Sequence, residues 1–143
     1  MAHVFAERAL DFYDLNLNDL IADNTSVGLF HSVTLHGKTY PDVLRVAFDG
    51  NTQLAWFGGT GITVNASTYA VTGDTSGAVI SGTVTGYLQQ VYIGGSYVNS
   101  WGVENFSYSA VAMYNAAVTP GTADDYAVFA SILSGADTFS LSS

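Results

Sequence analysis

From about residue 28 to residue 108, apolar side chains recur with a period of two, punctuated by short clusters containing glycine, asparagine or aspartate. A two-residue period sends alternate side chains to opposite faces of an extended chain, so a stretch of this kind is confined to β-sheet. The clearest unit spans residues 44–56. Leu44, Val46 and Phe48 share one face, Asp49-Gly50-Asn51 supplies the positive φ of a tight turn, and Leu54 with Trp56 is expected to meet them on the return strand. Gly58-Gly-Thr-Gly61 is expected to end that ribbon. Ile62 and Val64 would then form a short strand, Asn65-Ala-Ser67 a turn, Tyr69 and Val71 a further strand, and Thr72-Gly-Asp-Thr-Ser-Gly77 another turn. In residues 79–86 the face that carries Ile80 and Val84 also carries Gly82 and Gly86, which predicts a bulge or the close approach of another backbone. Residues 88–93, the Gly94-Gly95 turn and residues 97–108 complete the β region.

The period changes to helical at both ends. Leu17, Leu20 and Ile21, with Asp14 as a candidate N-cap, predict a short helix over 15–22. Ser109 precedes Ala110, Met113, Tyr114 and Ala117 at i, i+3, i+4 and i+7, a second helix that Pro120-Gly121 closes. Thr122 and Asp125 form a capping pair for a third, with Asp124 adding charge at the N-terminus; its stripe would be Tyr126, Phe129, Ala130 and Leu133, ending near Ser134. The fold class is therefore mainly β (α+β): an antiparallel sheet or sandwich of about six to nine short strands, followed by two short C-terminal helices that cover one side or end.

A chain of 143 residues is long enough for one core without staples. The absence of cysteine removes disulfides, thiolate catalysis and cysteine-based metal sites together. The formal charge is −9, and Arg8, Lys38 and Arg45 are the only cations besides the histidines. Such a balance disfavours nucleic acid and anionic lipid as partners, because both are held by lysine and arginine. No window approaches the run of about 20 apolar residues that a membrane-crossing helix requires, and residues 1–11 lack the pattern of a secretory signal, so no membrane insertion is expected.

Leu133-Ser-Gly-Ala-Asp-Thr-Phe139 follows the last helix and has the Gly-x-Asp-x-apolar order of half a nonapeptide repeat. This junction resembles the passage from a leading domain into the calcium-binding array of RTX proteins, which bacteria export by the type I route. Leu15-Asn-Leu-Asn-Asp-Leu-Ile21 and Ser81-Gly-Thr-Val-Thr-Gly86 are similar to pieces of domains upstream of such arrays. Ser134 stands where the array has glycine, and a single half-repeat is present. The resemblance implies a β-rich domain over residues 1–134, the start of a truncated repeat or tail over 135–143, and location outside the cell or on its surface. It implies no required cofactor for this chain, with calcium belonging to a longer parent. Three Asn-x-Ser sequons, at Asn24, Asn65 and Asn105, are incidental in a bacterial protein.

Candidate chemistry is sparse. Asp137 in the half-repeat and Asp74 in its turn are the candidate calcium ligands, each a fragment of the six to eight oxygens that calcium typically takes. Asp124 and Asp125 could serve calcium or an acid/base pair, but adjacent carboxylates at a helix start are read first as capping groups. His31, His36 and Tyr40 are the one cluster of softer ligands, suited to haem iron if the chain turns at Gly37-Lys38. Gly58-Gly-Thr-Gly61 lacks the following lysine and helix of a phosphate loop. No Gly-x-Ser-x-Gly elbow is present, and Glu7 and Glu104, nearly a chain length apart, have no evident partner, so a non-catalytic protein is expected. The leading expectation is an extracellular or cell-surface module for adhesion or self-assembly. Tyr87, Tyr92, Tyr97 and Trp101 are the candidate self-association residues, on an edge formed by residues 87–93 or 97–101. The alternative is a small-ligand capture domain for haem or glycan, and the partner expected overall is a further copy or a surface glycan.

Overall fold

The structure, a computed structural model, describes residues 1–8, 17–22, 24–64, 79–134 and 137–141. Seven strands form one sheet: β1 (His3–Ala6), β2 (Asn24–Leu35), β3 (Lys38–Phe48), β4 (Gln53–Val64), β5 (Val79–Ile93), β6 (Ser96–Ser109) and β7 (Thr138–Leu141). Their order is β2-β3-β4-β5-β6-β1-β7, antiparallel except for the parallel pair β1 and β7. Helices α1 (Asn18–Ala22), α2 (Ala110–Val118) and α3 (Ala123–Ile132) complete the described elements. The mainly β class and the two C-terminal helices are as the sequence predicts. The five middle strands are long rather than short, at 11 to 15 residues each.

The β3–β4 turn explains one departure. Phe48 pairs with Gln53, so the connection is four residues, Asp49 to Thr52, with Asp49, Gly50 and Asn51 all at positive φ. One residue more than the expected loop moves every side chain of β4 to the other face. Ala55 and Phe57, not Leu54 and Trp56, meet Val46 and Leu44, while Trp56 lies opposite Arg45. Nor does Gly58-Gly-Thr-Gly61 end the strand: β4 runs through it, with register shifts at Gly58/Gly59 and between Thr60 and Thr63. The glycines predicted in β5 do mark both a close approach and a bulge. A side chain at Gly82 would strike the Ile62 backbone at 2.6 Å, and the register slips between Val84 and Gly86.

One face of the sheet carries the larger core. Val4, Leu44, Val46, Ala55, Phe57, Tyr87, Trp101 and Val103 pack there under the helices, which contribute Leu20, Met113, Ala117, Val128, Phe129 and Ile132, together with Leu17 just before α1. Strand β6 passes directly into α2, where Ser109 Oγ accepts the Ala112 N–H as the predicted N-cap. Helix α3 is rotated from expectation. Thr122 precedes it but makes no side-chain capping bond. Asp125 turns inward, fully buried, and accepts the Leu17 N–H at 3.1 Å, tying α3 to the start of α1. That bond fixes the inner face as Asp125, Val128, Phe129 and Ile132, leaving Tyr126 42% exposed and Leu133 half-buried.

The opposite face is covered by the chain itself. Strand β3 pairs with β4 only from Asp42 onward, and residues 33–41 of the β2–β3 hairpin lie across the sheet. They bury Leu35, Tyr40 and Val43 with Phe5 and Leu88 as a second, smaller core. Ser32 at φ 55° and Pro41 mark the bend, since β2 and β3 skip one pair there.

Phe129→Ala and Ile132→Ala should each destabilise by roughly 2–5 kcal/mol in urea unfolding, and Tyr126→Ala should cost clearly less than either. Equal costs at positions 126 and 129 would restore the unrotated helix.

Candidate functional site

Where the hairpin tip lands, it brings together His36, Glu7, Glu104 and His3. His36 and Gly37 form the tip, both at positive φ. The His36 ring stacks on Phe5, with centroids 3.7 Å apart and planes within 7°. Its two nitrogens face carboxylates, Nε2 at 3.8 Å from Glu7 Oε1 and Nδ1 at 3.9 Å from Glu104 Oε2. Lys38 Nζ donates to Asn105 Oδ1 at 3.1 Å, a second tie between tip and β6.

The other oxygen of Glu104 is held by β1. Glu104 and His3 are cross-strand partners on the same face, and His3 Nδ1 lies 2.8 Å from Glu104 Oε1. From the far side, Ser140 of β7 brings Oγ to 2.9 Å from His3 Nε2. One tautomer satisfies both bonds: Nδ1–H donates to the carboxylate and Nε2 accepts the hydroxyl proton. His3 and Glu104 are partly exposed, with 25% and 17% of their side chains accessible, and Ser140 is exposed. Tyr40 lies beneath the group. Burial, reinforced by the Glu104 charge, pushes its phenol up to about 12.

Of the predicted ligand trio, His36 alone belongs to this group by its side-chain contacts. His31 is at the bend, where Nδ1 lies 2.7 Å from Asp42 Oδ1 while Asp42 Oδ2 accepts the Ile62 N–H. Tyr40 is 3% exposed and packed on the sheet, and its raised phenol disfavours the phenolate that iron ligation uses. The cavity between helices and sheet, lined by Leu17, Phe57, Tyr87, Met113, Phe129 and neighbours, measures about 10 Å³, far below the size of a haem. Among the described residues, no group of three or more His, Asp or Glu side chains is arranged to hold a metal ion. Asp137 instead accepts the Ala2 N–H at 3.0 Å, and the following residues, expected to begin a tail, pair with β1 as β7. Asp74 lies outside the described residues.

The aromatic set divides. In the order of the described strands β5 and β6 are interior and the outermost strands are β2 and β7, so residues 87–91 are paired on both sides; β1 covers β6 only from Trp101 to Glu104, and residues 97–99 have β5 on one side and no described strand on the other. Tyr87 and Trp101 are buried, Trp101 against Phe129, and both donate to Gln89 Oε1 at 3.0 Å. Tyr92 and Tyr97 instead form an edge-to-face pair near the Gly94-Gly95 turn, with Tyr92 49% exposed.

Sequence reasoning did not bring together His3, Glu104 and Ser140, whose positions span nearly the whole chain. The signal within reach was the alternation His3-Val4-Phe5-Ala6, a strand with one polar residue on its outer face. No family model matches the chain, and no curated protein or solved structure is significantly similar to it. No helix among the described residues is long and apolar enough to cross a membrane.

Asp125 belongs to neither a calcium nor an acid/base site facing solvent. Burial raises its carboxyl above the ordinary value of 3.8, against the Leu17 N–H bond and with the charge of Asp124 adding to the rise. A raised folded value means that its contribution is fully present below about pH 4 and is lost as pH rises through the folded value. Melting curves from pH 4 to 8 should therefore show a decline that Asp125→Asn flattens. Parallel curves for the two proteins would contradict this reading.

Proposed function

We propose that this domain is a self-associating module that builds an extracellular or cell-surface assembly, carried by an RTX-like exported protein. The observation that carries the reading is strand β2. It is an edge strand of 12 residues, Asn24–Leu35, without a lysine, arginine, aspartate, glutamate or proline, and no described strand pairs with its outer side. Soluble β-proteins commonly protect such an edge with those residues, because a row of unpaired N–H and C=O groups recruits another strand. A second copy fits this edge by backbone pairing, which needs no matching of charge.

Composition supports the same reading. A cysteine-free, acidic chain with the Leu133-Ser-Gly-Ala-Asp-Thr-Phe139 junction suits a type I exported protein. The Tyr92–Tyr97 pair and Ile93, 41% exposed, offer an apolar contact at the β5–β6 tip for adhesion to a further copy or a surface. The opposing influence is the net charge of −9, which repels like molecules at low salt.

Sedimentation should show a mass that grows with protein concentration and with added salt. Ser26→Lys places a cation at an exposed position of β2, outside the stretch that crosses the sheet, and should return the chain to monomer without altering its melting temperature. A wild-type monomer at every concentration and salt would overturn the assembly reading.

A further inference from the structure

We infer that Ser140, His3 and Glu104 form a nucleophile, base and orienting carboxylate that hydrolyse small activated carboxylic esters, a catalytic site at the opposite end of the sheet from β2. Three adjacent strands build it. Glu104 on β6, His3 on β1 and Ser140 on β7 face the same side, and the two contacts of 2.8 and 2.9 Å use the two nitrogens of one imidazole. Hydrogen-bond contact from serine to histidine, with the histidine held in turn by a carboxylate, is the arrangement that activates a hydroxyl nucleophile. The order along the strands makes it more than a passing surface contact. Glu104 is the register partner of His3, and Ser140 is the partner of Phe5, two residues further along β1, so each side chain is aimed by backbone pairing. The second oxygen of Glu104 faces His36, whose stack on Phe5 keeps the hairpin tip in place. Ser140 is exposed, so a small ester with a good leaving group can reach its hydroxyl.

The step balances as ordinary ester hydrolysis. Ser140 Oγ adds to the ester carbonyl carbon while its proton passes to His3 Nε2. Collapse of the tetrahedral adduct breaks the carbon–oxygen bond to the leaving group, which takes that proton from His3. Water then adds to the acyl-serine, giving its proton to the same nitrogen, and collapse expels Ser140 Oγ, which recovers the proton as the carboxylic acid leaves. Ser140 and His3 are the catalytic residues, and Glu104 is a positioning residue that acts through His3.

The test uses the full chain with p-nitrophenyl acetate and, separately, an alkyl fluorophosphonate, the site of labelling being mapped by mass spectrometry. Ester hydrolysis and a single adduct on Ser140 are expected. Ser140→Ala, at an exposed edge position, should abolish both, and His3→Ala should slow labelling by about 100-fold or more. His3→Gln retains a side chain of similar reach and serves if His3→Ala fails to fold. Glu104→Gln should slow labelling about tenfold or more, with Glu104→Asp recovering part of the loss, a rescue that a purely structural carboxylate would not give. No adduct on Ser140, or an adduct whose rate the folded His3 variants leave unchanged, would overturn the assignment.

Discussion

The architecture depends on one tyrosine lying across two glycines. Gly58 of β4 and Gly86 of β5 are register partners, and together they leave a gap in the side-chain layer of the sheet. The Tyr40 ring fills it: a Cβ at Gly58 would lie 2.5–2.8 Å from three ring atoms, and one at Gly86 would fall on the phenol end. No residue with a side chain fits at either glycine while the ring stays. Phe5 repeats the device on β1, with its ring over its partner Gly102. These aromatic rings, rather than a second sheet or a helix, exclude water from the hairpin face, and the area they remove is of the size that dominates small cores.

Seating Tyr40 has consequences at both ends of the sheet. The hairpin residues before Asp42 must leave β4 and fold over, which Ser32 and Pro41 permit and the Asp42 bonds to His31 and Ile62 secure. Its tip then reaches β1 and β6, where His36 meets Phe5 and the two glutamates. The same fold-over leaves β2 along the sheet margin as a long strand with few features that discourage pairing. The proposed assembly edge and the serine–histidine–glutamate group thus lie at opposite margins of one sheet.

Much of this was legible in residues close in sequence. Alternation over residues 44–48, the Ser109 cap and the glycines of β5 predicted strands, a helix start and a close approach, because each depends on neighbours within a few positions. The face of β4 was not legible, since it turned on whether the loop after Phe48 held three residues or four. Nor was the inward turn of Asp125, because its partner Leu17 is more than a hundred positions away; an aspartate at a helix start looks the same whether it caps its own helix or another. His3, Glu104 and Ser140 escaped for the same reason. Only the strand order β6-β1-β7 brings them together, and that order requires the C-terminal segment to add to the sheet in parallel beside β1.

A double-mutant cycle between Tyr40→Ala and Gly86→Ala tests the seating of the hairpin most directly, measured as unfolding free energy in urea. With Tyr40 present, the added methyl has nowhere to go, and overpacking should cost roughly 1–3 kcal/mol. With Tyr40 already alanine, the methyl enters vacated space and the cost should fall near zero, a coupling of the size expected for residues in contact. An equal cost for Gly86→Ala in both backgrounds would mean that Tyr40 does not lie on that glycine, and the account of the hairpin face would fail with it.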